Sequence, residues 1–151
     1  EEIFYKGVCL DEVKAFVETS DSETFITFAT CVHEAESRKD FRACAKQIHK
    51  ARVAAQSTKM VAMGKSLGEK NCQCETFRKA RDKKGWEACR LEQKKLKKAF
   101  GDEVDRMQKK NPDAEVWQMG KPLSGAEMLD VMKAARDARK DADKACKANQ
   151  K

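Results

Sequence analysis

The sequence predicts an all-α fold, an antiparallel helical bundle of about five helices built on two cysteine-stapled helical hairpins. Apolar residues recur at steps of three and four, with little strand-like alternation. The segments Cys31 to Cys44 (CVHEAESRKDFRAC) and Cys74 to Cys89 (CETFRKARDKKGWEAC) both place a polar middle between two cysteines and close on an aromatic, any residue, Ala and Cys. Two antiparallel arms of similar length would carry such sulfurs to the same height, as a disulfide requires. Seven cysteines in 151 residues also point to an oxidising compartment. The length is that of one domain, read here as 1–151.

Residues 1–8 show no period. A short first helix is expected over 9–19, with Cys9, Val13, Phe16 and Val17 on one face. Ser20 and Glu23 have capping-box spacing, and the first hairpin is expected over 22–63. Its first arm carries the stripe Phe25, Phe28, Val32 and Ala35, and it turns at Ser37-Arg38-Lys39. Its second arm starts near Asp40, with Phe41, Cys44, Ile48, Ala51 and Ala55 inward and Val61 and Met63 beyond. Residues 64–68 read as the clearest internal break, with Gly64 as a helix C-cap.

The second hairpin is expected over 72–110. It opens at Cys72-Gln73-Cys74, turns Phe77 and Ala80 inward, and reverses at 81–84 before Gly85. Trp86, Cys89, Leu96, Phe100, Val104 and Met107 then share a face from which Gln93 departs. Gly101 should weaken this helix by about 1 kcal/mol relative to Ala. Asn111-Pro112 stops it, and a loop over 111–123 carries Trp117. Ser124 and Glu127 form a second capping box for a last helix over 124–148. Met128, Met132, Ala135, Ala142 and Cys146 lie along its face, and an alanine seam of this kind suits close approach to the earlier rod.

Local spacing favours Cys31–Cys44 and Cys74–Cys89 as staples, with pairing across the hairpins as the alternative. Any two of Cys9, Cys72 and Cys146 can tie an end of the chain to its middle. The remaining one, with Cys9 and Cys146 the candidates, is then a free thiol or the bridge of a disulfide-linked dimer. Leu, Ile, Val, Met, Phe, Trp and Tyr make up fewer than a quarter of the residues, enough for thin helix–helix seams. Staples at about 2–4 kcal/mol each would offset that modest burial.

No catalytic constellation is expected, and neither metal nor cofactor. His33-Glu34 is followed at position 37 by Ser, so the metalloprotease pattern fails, and neither a nucleophile elbow nor a P-loop occurs. Cys72-x-Cys74 lacks the second closely spaced pair that structural zinc uses. No run is apolar for the roughly 18 residues of a transmembrane helix. The opening Glu1-Glu2 lacks a basic-then-apolar leader, an expectation in keeping with a mature secreted or surface chain.

The net charge of +7 conceals a gradient. Residues 1–36 carry nine acids and two bases, whereas 37–100 carry six acids and nineteen bases. The basic middle is a field for an acidic protein or an anionic surface. The expected binding residues are Arg42, Lys46, Lys50 and Arg52 on the third helix, Lys94, Lys95, Lys97 and Lys98 further on, and Trp117. The expected function is therefore non-enzymatic: a secreted or cell-surface helical protein that binds an extracellular protein, receptor or anionic surface, with no nucleic-acid module. One alternative is a membrane-active or toxin-like protein, because Trp86 to Phe100 (WEACRLEQKKLKKAF) is basic and amphipathic. A second is a carrier of a small hydrophobic ligand. Insect odorant-binding proteins are such carriers, but twelve residues separate Cys31 from Cys44, and their closely spaced helical cysteine pair is missing.

Overall fold

A computed structural model of the chain describes residues 4–5, 8–9, 22–109 and 122–150. Among these, four helices account for nearly everything: α1 (Ser22–Glu34), α2 (Arg38–Lys79), α3 (Lys83–Gln108) and α4 (Gly125–Asn149). The fold is helical and carries three disulfides. The chain divides into two compact units. One comprises Glu1–Ala55 with Gln108–Leu123, the other Gln56–Met107 with Ser124–Lys151.

In the first unit, a two-residue ladder pairs β1 (Phe4–Tyr5) with β2 (Val8–Cys9), setting Phe4 opposite Cys9 and Tyr5 opposite Val8. The helix expected over 9–19 therefore does not begin at Cys9, and 10–19 lie outside the described residues, as does Ser20. Aromatic and β-branched residues flanking Lys6-Gly7 are the hairpin signal that a search for helical periods passes over.

Helix α2 begins at Arg38, close to the expected start near Asp40, and Ser37 caps it. The Ser37 hydroxyl accepts from the Asp40 amide at 3.2 Å, and the Asp40 carboxylate accepts from the Glu36 amide at 3.0 Å. Those two bonds close the corner after α1. Phe28, Ala35, Phe41, Cys44, Ala45 and Ile48 are buried there, around the Cys31–Cys44 bridge with Cα atoms 5.7 Å apart.

The break expected over 64–68 does not exist. Helix α2 runs 42 residues to Lys79 and so absorbs the first arm of the second hairpin. Gly64 and Gly68 lie one turn apart on its buried side. A Cβ at Gly64 would collide with the Ala135 carbonyl oxygen, and one at Gly68 with that of Arg139. Glycine is needed here for backbone-to-backbone approach, and the packing gained offsets its helix propensity cost of about 1 kcal/mol per residue.

The second unit is a three-helix arrangement. Along α2, Lys59, Lys70 and Cys74 meet Glu103, Glu92 and Cys89 of α3, so α3 runs antiparallel. Gly64, Gly68, Asn71, Cys72 and Thr76 meet Ala135, Arg139, Asp143, Cys146 and Gln150, so α4 runs parallel to α2. Ser124 caps α4 with both hydrogen bonds of a capping box. Met60, Leu67, Met107, Met128, Val131 and Ala135 form the apolar core.

The corner between α2 and α3 is tighter than expected, and α3 starts at Lys83. The Asp82 amide donates to the Phe77 carbonyl and the Arg81 amide to that of Arg78, a Schellman closure with Arg81 left-handed at φ 56°. Asp82 then caps α3 by accepting from the Gly85 amide at 3.0 Å. Phe77 and Ala80 are exposed and not inward. They lie beyond the stapled level, where the Phe77 ring sits over the space a Gly85 side chain would occupy. Gly101 lies inside α3 with nothing near its missing Cβ, and the helix passes through it to Gln108.

Candidate functional site

Cys72 ties α2 to α4 and Cys74 ties α2 to α3, with Cα separations of 6.1 and 5.5 Å. Residues two apart on a helix point about 200° away from each other. Cys72 and Cys74 therefore serve two different neighbours and cannot chelate one ion. Six of the seven cysteines are used in three intrachain bridges, and Cys9 stands outside them. Among the described residues, no three His, Cys, Asp or Glu side chains gather as metal ligands, and no helix is long and apolar enough to cross a membrane. His33 is exposed and His49 half-buried, in separate places on α1 and α2.

Gln93, which breaks the apolar pattern of α3, is 2 % exposed. It lies in a polar layer level with the two bridges. Its amide nitrogen donates to Asn71 Oδ1 at 3.3 Å, and Asn71 Nδ2 donates to Asp143 Oδ1 at 3.2 Å. Lys147, 2.8 Å from the other Asp143 oxygen, and Asn71 hold that carboxyl below its ordinary range. On the outer side, Arg90 donates to Gln93 Oε1 at 2.9 Å and lies over the Trp86 ring, 5.6 Å from its centroid. A chain of part-buried side chains thus begins on α4, crosses α2 and ends by fixing a cation on the surface of α3.

A further ionic contact lies toward the C-terminal end of α3. Glu103 is buried and accepts from Arg106 and, at 3.0 Å, from Lys59. Arg106 first and Lys59 second depress its pKa against the opposing effect of burial. Glu92 is likewise lowered, by Lys70.

The surface of α3 beside the fixed Arg90 carries Trp86 at 36 % and Leu91 at 63 % exposure. With Glu87, Gln93, Lys94 and Lys97 these residues line a groove of about 580 Å³. The spacing 86, 90, 94, 97 keeps them on one side of the helix. Trp86 thus faces out of the bundle, whereas Cys89, Gln93, Glu103 and Met107 are the fully buried positions, with Leu96, Phe100 and Val104 half-buried. The period of the large apolar residues alone misplaces this face. The signal available was the polar Gln93 at helical spacing from Cys89, which marks a buried polar contact.

The expected binding cations divide between the units. Arg42, Lys46 and Lys50 are exposed and Arg52 half-buried on the first part of α2, and Arg42 and Arg52 are already engaged within the chain. Lys94, Lys95, Lys97 and Lys98 are all exposed on α3, and no ion pair engages them within the described residues. Trp117 lies outside the described residues. Comparison with protein families, curated proteins and solved structures gives no match.

Proposed function

We propose that this is a non-enzymatic secreted or cell-surface protein that binds an acidic extracellular protein through the basic face of α3. The observation that carries the reading is the Trp86–Arg90 pair. Tryptophan and arginine are the commonest interface anchors, and here both are exposed on a lysine-rich helix. Arg90 is already ordered by Trp86 on one side and Gln93 on the other, so it loses less conformational freedom on docking than a free arginine would. Lys94, Lys95, Lys97 and Lys98 supply the field that steers an acidic partner. Three intrachain disulfides support the extracellular setting.

The test is a binding screen of the oxidised protein against purified extracellular domains, run beside two variants. One is Trp86→Ala with Arg90→Ala, and the other reverses Lys94, Lys95, Lys97 and Lys98 to Glu. A partner bound by the native protein should be lost with both, and its affinity should fall steeply with salt. Binding that survives both variants removes α3 from the interface. Adsorption confined to anionic vesicles replaces the protein partner with a membrane surface.

A further inference from the structure

A second recess of the same unit has a different character. Gly64 and Leu67 of α2, Phe100 of α3, and Met132 and Ala135 of α4 form an apolar slot of about 210 Å³. Lys97, Arg136 and Arg139 complete its lining, and all three are exposed. No acidic residue lines it. None of the three cations makes a hydrogen bond or ion pair within the described residues, although Arg139 lies near enough to Asp143 to help depress its pKa. Asp137 and Asp141 neighbour the two arginines along α4 but do not line the slot, while Glu103 is engaged by Lys59 and Arg106, and Asp143 by Lys147 and Asn71.

We propose that this slot binds a small organic anion with an apolar body, the class represented by medium-chain and aryl-alkyl monocarboxylates. An apolar cavity of about 150 Å³ admits benzene, so the slot has room for one aromatic ring or a short alkyl chain. Its floor offers only aliphatic and aromatic surface and backbone, which rewards an apolar body without asking for hydrogen bonds. Its rim carries three positive charges and no acid in the lining, and an anionic head relieves their mutual repulsion while accepting charge-assisted hydrogen bonds. The two arginines are one turn apart on α4, which lets their planar forks converge on one carboxylate. A neutral or cationic head gains neither effect. The site is separate from the Trp86 groove except at Lys97, and it stands whether or not α3 docks a protein.

The experiment is a titration of isotope-labelled protein with octanoate, read by amide chemical shifts, with 1-octanol and octylammonium as matched controls. Saturable shifts centred on Leu67, Phe100, Met132 and Ala135, with Kd on the order of 10 μM to 1 mM, are the expected result. The controls should bind at least about tenfold more weakly, because each lost charged hydrogen bond is worth about a factor of ten or more. Arg136→Ala with Arg139→Ala, both at exposed positions, should weaken octanoate binding by a similar factor without disturbing the rest of the spectrum. Met132→Trp should fill the slot and abolish binding of any chain. Equal binding of octanol or octylammonium, affinity unchanged in the arginine variant, or no saturable shift up to about 10 mM octanoate would each overturn the proposal.

Discussion

The two within-hairpin staples make an instructive pair. Cys31–Cys44 and Cys74–Cys89 close loops of similar span, 13 and 15 residues apart, with Cα separations of 5.7 and 5.5 Å. Their surroundings differ. The first stands beside a corner fixed by two capping bonds, Asp40 amide to Ser37 hydroxyl and Glu36 amide to Asp40 carboxylate. The second belongs to a layer in which the same turn of α2 also carries Cys72 to α4 and Asn71 to both neighbours. Similar local bridges thus do different work. One pins a hairpin, and the other helps lock three helices at a single level, where a chain of polar contacts fixes which residues face each other.

Removing the bridges one at a time is the most severe way to break this comparison. Cys72–Cys146 spans 74 residues, so Cys72→Ala with Cys146→Ala should cost about 4 kcal/mol in denaturant unfolding. Cys31→Ala with Cys44→Ala should cost about 3 kcal/mol. Equal losses would show that the chain-entropy difference is cancelled by other effects. The glycines give a smaller and signed effect within the second unit. Gly64→Ala must push α4 off its seat at Ala135 and should destabilise by roughly 1–3 kcal/mol. Gly101→Ala meets nothing and should stabilise by up to about 1 kcal/mol. A thermal melt of each variant reads the sign directly, and a stabilised Gly64→Ala would remove the close-approach explanation.

Acid tests the carboxylates of the second unit. The carboxyls of Glu103 and Asp143 have folded pKa values below their ordinary ones. The unfolded chain therefore takes up protons before the folded one does, and stability is complete above the ordinary carboxylate range of about 3.9–4.3. It should fall as pH drops through the depressed folded values. Hydrogen exchange across that range should rise at the α2–α3 and α2–α4 contacts of the second unit together. A flat profile would mean that the two carboxylates are indifferent to unfolding.

The sequence by itself determined what is local. Helical period, the two staples of short span and the Ser124 capping box are written within one or two turns of chain, where spacing and bonding geometry are the same thing. The alanines of α4 also announced close packing, though not against what. Tertiary structure decided the rest. Gly64 and Gly68 look like a helix end until Ala135 and Arg139 are seen to need their missing side chains. Gln93 looks like a defect until Asn71 and Arg90 meet it. Cys72 and Cys74 look like one motif until the turn of the helix sends them to separate partners. The basic middle of the chain reads as one surface in sequence, but its cations belong to two units, and only the outward side of α3 combines them with an ordered Trp86–Arg90 pair. The physical reason is common to all four cases: the free energy of a glycine, a buried amide, a cysteine or a lysine depends on what another helix brings within a few ångströms, and spacing along one helix says nothing about that neighbour.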